Sequence, residues 1–253
     1  MTSRSISAPQ TTVVIPVRNE GDHFREAYQE LRPHLPDHAV IFVVYDSPDD
    51  TTVPVIQRIV HEDSRVRPLR NLRVAGVANA LRTGFEAAGD GPVIVVMGDL
   101  SDDPGIIPAM LALHASGAAV VCPSRYMPGG AHVGGPFWKR TMTRLAGLSL
   151  YRLRVLPVRD ATNNFRLYDG LFLKETRTKS KGFDIALELT LKAQWRGLRV
   201  VELPTVWRDR KWGASKFRLR WLVRGYGHWW LQGVAARLTQ TSRARRLTEL
   251  LTR

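Results

Sequence analysis

The first half of the chain alternates two hydrophobic periods. Short, nearly continuous apolar runs rich in β-branched residues fall at 12–17, 40–45, 93–97 and 119–122. Between them lie stretches with helical spacing at 22–35, 51–62, 75–88 and 104–116. In the first of these, Phe24, Ala27, Tyr28 and Leu31 share one face at i, i+3, i+4 and i+7. Apolar strands separated by amphipathic helices predict a mostly parallel sheet covered on both faces. Such sheets bind ligands in the crevice beyond the carboxyl ends of their strands, so the residues just after each strand carry the chemistry.

The pattern loosens after Ser124. The Gly/Pro-rich stretch 127–136 (MPGGAHVGGP) reads as a mobile loop and 138–153 as a basic helix. Residues 161–168 and 198–206 read as strands around a helix at 184–196. Over 217–238, apolar residues at 219, 222, 223, 226, 229, 230 and 234 alternate with Arg218, Arg220 and Arg224. That spacing is amphipathic, interrupted by Gly225, Gly227 and Gly233.

Composition changes the picture in one respect. At 253 residues, 44% hydrophobic and 24% charged, the chain is ordinary globular material for one domain, with or without an appendage. The single cysteine, Cys122, excludes a disulfide framework and a cysteine metal cluster. The charge is unusual: of the net +14, the segment from Thr205 to Arg253 carries +10, and it holds five of the seven tryptophans. A basic, Trp-rich end on a near-neutral body points to a polyanionic surface, and indoles favour a membrane headgroup layer. No stretch approaches the ~18–20 apolar residues of a membrane span, and MTSRSISAPQ lacks a signal-peptide core. The expectation is a cytoplasmic protein, peripheral on the inner face of the membrane. The alternative for the tail is that Trp221, Leu222 and Trp229 pack on the body, or on a second copy in a homo-oligomer.

Four strand ends carry polar groups: Arg18-Asn19-Glu20, Asp46-Ser47-Pro48-Asp49-Asp50, Gly98-Asp99-Leu100-Ser101-Asp102-Asp103 and Ser124-Arg125-Tyr126. Acidic groups on adjacent strand ends suit ribose hydroxyls, base edges and a divalent ion on a diphosphate, and Arg125 suits phosphate oxygens. Plainer roles compete. Asp46 sits in a turn-forming sequence, and one of Asp99, Asp102 and Asp103 should cap the helix begun by Pro104. The first turn, PVRNEGD, is bulky and acidic and argues against a dinucleotide fold. P-loop, HExxH and G-x-S-x-G motifs are absent.

Six collinear segments resemble family 2 glycosyltransferases of the GT-A fold, most closely the dolichol- or polyprenol-phosphate mannose synthase branch. They are VVIPVRNE, VVYDSPDDT, VVMGDLSDDP, SRYMPGG, DATNNFRLY and RDRKWGASKF, spanning about residues 11 to 217. The resemblance implies an α/β GT-A catalytic domain over 1–206 and a basic Trp-rich segment over 207–253 for acceptor phosphate and membrane surface. It implies that Pro16, Arg18, Glu20, Val44 and Asp46 hold the nucleoside, with Gly98 and Asp99 facing the diphosphate. Mg2+ or Mn2+ would sit on Asp99, helped by Asp102. Arg125, Arg210 and Lys216 would hold phosphates of donor or acceptor, and Asp160 and Arg166 would shape the acceptor side. Three positions depart from the family pattern: Arg18 replaces Tyr, Tyr45 the first Asp of a pair, and Met97 the first Asp of DxD. A thioether does not serve a hard cation, so metal binding rests on the remaining carboxylates.

The implied reaction moves a sugar, with mannose from GDP-mannose the lead choice, to a polyprenyl phosphate with inversion. A phosphate acceptor is already an anion and needs positive charge around it rather than a strong base. None of the seven histidines falls in a motif; His132 is the one to follow. A UDP-sugar with a saccharide or other hydroxyl acceptor is the alternative within the fold. From a different class, a nucleic-acid-binding tail would leave the strand-edge motifs unexplained, so no nucleic acid partner is expected.

Overall fold

A computed structural model describes residues 10–209 and 219–251. Seven strands form one twisted sheet: β1 (Thr12–Pro16), β2 (Val40–Tyr45), β3 (Val66–Arg70), β4 (Pro92–Val95), β5 (Val120–Ser124), β7 (Arg166–Asp169) and β8 (Val200–Pro204). Their order across the sheet is β3-β2-β1-β4-β7-β5-β8, and only β7 runs antiparallel to its neighbours. A second, two-stranded parallel sheet pairs β6 (Ala131–Val133) with β9 (Val206–Arg208).

Alternation along the strands builds two cores. Val13 and Ile15 face one layer, with α1 (His23–Leu31), α2 (Val53–Glu62) and α4 (Ile107–Ala115) contributing Phe24, Ile56 and Met110. Val14 faces the other, with α3 (Val77–Ala87), α6 (Gly170–Lys174) and α7 (Ile185–Trp195) contributing Leu81, Phe172 and Leu189. The predicted parallel, doubly covered sheet is therefore present.

Several boundaries differ from the sequence pattern for local reasons. β3 escapes the hydrophobic pattern because it is an edge strand, VRPLR, with charged residues and a proline tolerated only there. The strand expected at 161–168 starts only at Arg166, because 160–164 fold into a polar loop. The stretch 127–136, expected to be a mobile loop, is pinned: Ala131–Val133 pairs with β9, and Ala131 N donates to Thr205 O at 2.9 Å. Its glycines serve geometry, since a Cβ at Gly130 would lie 2.3 Å from Ser124 O.

Within the C-terminal tail, Leu219–Leu251 forms one helix, α8, packed against α7 and α5 (Phe137–Arg152). Trp229 is buried and donates from Nε1 to Ser180 Oγ at 2.8 Å; Trp230 donates to Ser149 Oγ at 2.9 Å. The glycines that interrupt the amphipathic pattern mark close approach: a Cβ at Gly225 would meet Asp184 at 2.8 Å, and one at Gly233 would meet Val155 at 2.8 Å. No helix among the described residues is long and apolar enough to cross a membrane.

Candidate active site

β1, β2, β4, β5 and β8 end at one edge of the sheets, and antiparallel β7 begins there, in register through Val95 and Arg166. The topology thus gathers the loops after residues 16, 45, 95 and 124 with the loop 160–164.

On the β1–β2 side the first loop is clamped by the second. Asn19, in the left-handed region at φ 52°, donates its N–H to both oxygens of Asp50 at 3.0 Å. Glu20 N donates to Thr52 Oγ1 at 3.0 Å, and Thr51 N donates to Asn19 Oδ1 at 3.3 Å. A non-glycine residue held at positive φ by buried partners fits a functional loop. Asp46 receives Asn71 Nδ2 at 2.8 Å and Gly76 N at 2.9 Å, which fixes the start of α3. It stays half-buried, and a carboxylate has lone pairs left for a ligand hydroxyl. Arg18 is exposed and Glu20 half-buried at the rim. Pro16 and Val44 are buried, and Val44 O is spent on Val17 N at 2.9 Å. The Val44 side chain belongs to the core on the α3 side of the sheet.

After β4 the chain turns sharply at Leu100, φ 42°, with Asp99 Oδ1 accepting from Ser101 N at 3.3 Å. Gly98 is packed beneath, where a Cβ would lie 3.2 Å from Pro16 O. Asp103 accepts from Gly105 N at 2.9 Å, so it is the capping residue of the three acids. Asp102 is buried, bridges to Trp207 and accepts from Asn163 Nδ2 at 2.7 Å. Burial pushes its carboxyl up to about 7, against the pull of Asn163 and Arg125 and with a push from Asp99. A cation here would relieve that crowding of negative charge. Among the described residues no three His, Cys, Asp or Glu side chains converge on one point. Any divalent ion held at this edge would need oxygens from phosphates and water beyond what the described side chains supply, the usual habit of Mg2+.

Arg125 and Asp160 form the hub of the opposite side. Arg125 Nε donates to Asp160 Oδ2 at 2.6 Å and Nη2 to Oδ1 at 2.9 Å; Nη2 also reaches Thr162 Oγ1 at 2.7 Å. The carboxylate also accepts from Thr162 N and Thr162 Oγ1, both at 3.1 Å, and from Asn163 N and Arg125 N, both at 3.2 Å. Burial alone would raise the Asp160 carboxyl, but the charge and hydrogen bonds of Arg125 hold it below the ordinary carboxylate range. Arg125 is thus oriented as a rigid fork, and among the described residues its Nη1 takes no protein hydrogen bond. Arg166 lies behind this loop, fully buried, donating to Asn163 O, Asp160 O, Ala186 O and Thr190 Oγ1. Bonded on every side named, it holds the 160–163 loop against α7.

Tyr126, His132 and Trp207 line the flank. The Tyr126 hydroxyl lies 2.6 Å from Thr143 Oγ1 and 3.3 Å from His132 Nδ1, and His132 meets Trp207 edge-on at 4.4 Å. Burial first, then the charge of Arg125, lowers His132 to about 4, so it is neutral near pH 7. Arg210 and Lys216 lie outside the described residues. The sequence pattern assigned no role to Asp50, Thr52, Asn71 and Asn163, although Asp50 stood among the strand-end acids. The turn sequence around Asp50 carried a signal for the first pair; Asn163 had none, because its partner Asp102 is 61 residues away.

A shallow cavity of 770 Å3 lies at the opposite edge, beside Arg32, Asp63 and Arg65. Its carboxylate, Asp63, is already engaged by Tyr28, Arg65 and Arg32, and none of the strand-end residues lines it.

Residues 12–174 match glycosyl transferase family 2, and the chain belongs to that family. It is a glycosyltransferase with the GT-A fold. It is 24% identical over 83% of its length to a dolichol-phosphate mannosyltransferase of Pyrococcus furiosus, and spans 59% of that protein. It is 26% identical to the polyprenol monophosphomannose synthase of Mycolicibacterium smegmatis, covering 82% of this chain and 80% of that one. An undecaprenyl-phosphate mannosyltransferase of Micrococcus luteus is 29% identical, over 80% and 85% of the two chains. Among solved structures, glucosyl-3-phosphoglycerate synthase of Mycobacterium tuberculosis, crystallised with Mn2+, UDP and phosphoglyceric acid, superimposes with a TM-score of 0.66. The match covers 90% of this chain and 78% of that one, at 18% identity.

Proposed function

We propose that this enzyme transfers a sugar from a nucleotide sugar to a polyprenyl phosphate with inversion at the anomeric carbon, at the cytoplasmic face of a membrane. The names of the three relatives support the acceptor class and mannose as the sugar, and GDP-mannose is the lead donor on the sequence resemblance. The observation that carries the reading is the joining of the two strand-end groups. Asn163 ties Asp102, beside Asp99, to the loop whose Asp160 orients Arg125.

Arg18, Glu20 and Asp46 border the space for the nucleoside. Asp99, with Asp102 beside it, would hold Mg2+ or Mn2+, which supplies positive charge to the leaving diphosphate. The acceptor phosphate is the nucleophile, and Arg125 Nη1 is aligned to hold it, with Arg210 and Lys216 as further cationic partners. The phosphate oxygen attacks the anomeric carbon as the bond to the nucleoside diphosphate breaks on the opposite face. No proton needs removal, so a neutral, weakly basic His132 is compatible with the chemistry. The basic tail is proposed to bring the site to an anionic surface.

The test is transfer of labelled sugar into an organic-extractable lipid, offering GDP-mannose, UDP-glucose and UDP-N-acetylglucosamine separately with Mg2+ or Mn2+. Label from one donor supports the reading and fixes the nucleotide. Label in none, with a nucleotide sugar still bound, moves the acceptor to a soluble hydroxyl.

A further inference from the structure

Helix α8 meets the acceptor-side loop through one side chain, Tyr226. Its ring packs with Trp230 and Val234 against the core that α3 and α7 share, and its hydroxyl reaches two loops at once. It donates to Phe183 O at 2.9 Å, in the turn that starts α7. It also lies 3.4 Å from Thr162 O, in the loop that carries Asp160. The preceding residue permits this approach. A Cβ at Gly225 would meet Asp184 at 2.8 Å, so a side chain there would hold α8 off the turn.

Thr162 is where this contact joins the Arg125 fork. Its hydroxyl accepts from Arg125 Nη2 at 2.7 Å and donates to Asp160 Oδ1 at 3.1 Å. Arg166 bonds Asn163 O and Asp160 O of the same loop, leaving the Thr162 carbonyl to Tyr226 and to the Asn164 amide at 3.4 Å. The loop is therefore held from two elements, with Arg166 tying it to α7 and Tyr226 tying it to α8. We infer that Tyr226 is a positioning residue: from α8 it seats Thr162, and through Thr162 it sets the direction of the Arg125 guanidinium. The inference rests on the reading of Arg125 as a holder of the acceptor phosphate, and it gives the docked tail a part in that hold. Tyr226 acts through the loop rather than on substrate, so its hydroxyl should matter to the acceptor and not to the nucleotide sugar, which lies on the β1–β2 side.

The test uses the full chain and the variant Tyr226→Phe, which removes one hydroxyl and keeps the ring. Ser149→Ala is the control, because it cuts the bond from Trp230 and so loosens α8 away from the loop. The first readout needs no substrate. In protein labelled with 15N-arginine, the Arg125 Nε–H is assigned by its loss in Arg125→Met. Its exchange with water should be about fivefold faster in Tyr226→Phe, and unchanged in Ser149→Ala. The second readout is kinetic: the KM for polyprenyl phosphate should rise about fivefold in Tyr226→Phe, with the KM for the nucleotide sugar unchanged. A wild-type exchange rate in Tyr226→Phe would overturn the inference. Equal acceleration in both variants would also overturn it, since α8 would then act only by general support of the fold. Equal rises in the two KM values would count the same way. A wild-type enzyme that transfers nothing to the lipid would sink the acceptor reading alone, and the exchange rates would still decide whether Tyr226 positions Arg125.

Discussion

Replacing Asp160 by alanine should damage this protein more than any other single change in the crevice. The carboxylate is fully buried and grips Arg125 through Nε and Nη2 at 2.6 and 2.9 Å. Its removal strands a buried guanidinium, and breaking such a pair from one side costs about 3–5 kcal/mol. For a domain of this size that lowers the melting temperature by about 6–20 °C, out of a total stability on the order of 5–15 kcal/mol. The folded fraction survives at room temperature, with Arg125 misaligned and transfer lost. Arg125→Met strands the carboxylate and should cost a similar amount. The double variant Arg125→Met/Asp160→Ala strands no charge, and should be more stable than the sum of the single losses by well over 1 kcal/mol. The sign with pH follows from the lowered Asp160 carboxyl. Its contribution is present above the unfolded value of about 3.9 and is lost as pH falls through the lower folded one. The gap between wild type and Asp160→Ala should therefore be wide at pH 7 and narrow in acid. Thermal unfolding followed by circular dichroism reads all three variants. A drop under about 2 °C for Asp160→Ala, or strict additivity in the double variant, would refute the coupled buried pair.

Three further outcomes are expected. Gly130→Ala drives a methyl against Ser124 O and the Arg125 backbone, so it should lower transfer by shifting Arg125, with nucleotide binding to the β1–β2 side retained; unaltered turnover would count against the close approach. Trp229→Ala removes a buried indole and its bond to Ser180, and should cost about 3–5 kcal/mol in urea unfolding, whereas a loss below 1 kcal/mol would mean α8 is not docked. His132 is held neutral at about 4, below the unfolded value of about 6.5. Its contribution to stability is complete above that unfolded value and drains away as pH falls toward 4, so His132→Asn should flatten the stability loss between pH 6.5 and 4. An unchanged urea-midpoint slope across that range would contradict the assignment.

The parallel sheet and its reactive edge were legible because strands buried on both faces must be apolar throughout, and because loops after such strands share one edge by topology. Asp46, Asp99 and Arg125 could be picked out for that reason. What stayed hidden depends on contacts distant in sequence. Nothing near Arg125 announces that Asp160, 35 residues on, would neutralise it, nor that Arg166 would vanish behind the loop it holds. Edge strand β3 was masked by its proline and charges. The 127–136 stretch looked mobile because its glycines were read as freedom, when Gly130 answers a close approach to Ser124. The tail was harder still: glycines that weaken an amphipathic pattern are what let α8 sit close to Asp184 and Val155.

The central claim is that the nucleophile is a phosphate, held by cations and needing no base. It is tested most directly by offering the purified enzyme and its labelled donor two acceptors that differ in one group, a polyprenyl phosphate and the corresponding polyprenol. The account predicts label in the lipid phase with the phosphate alone, lost in Asp99→Ala. Equal labelling of the alcohol, or labelling that survives Asp99→Ala, would contradict it.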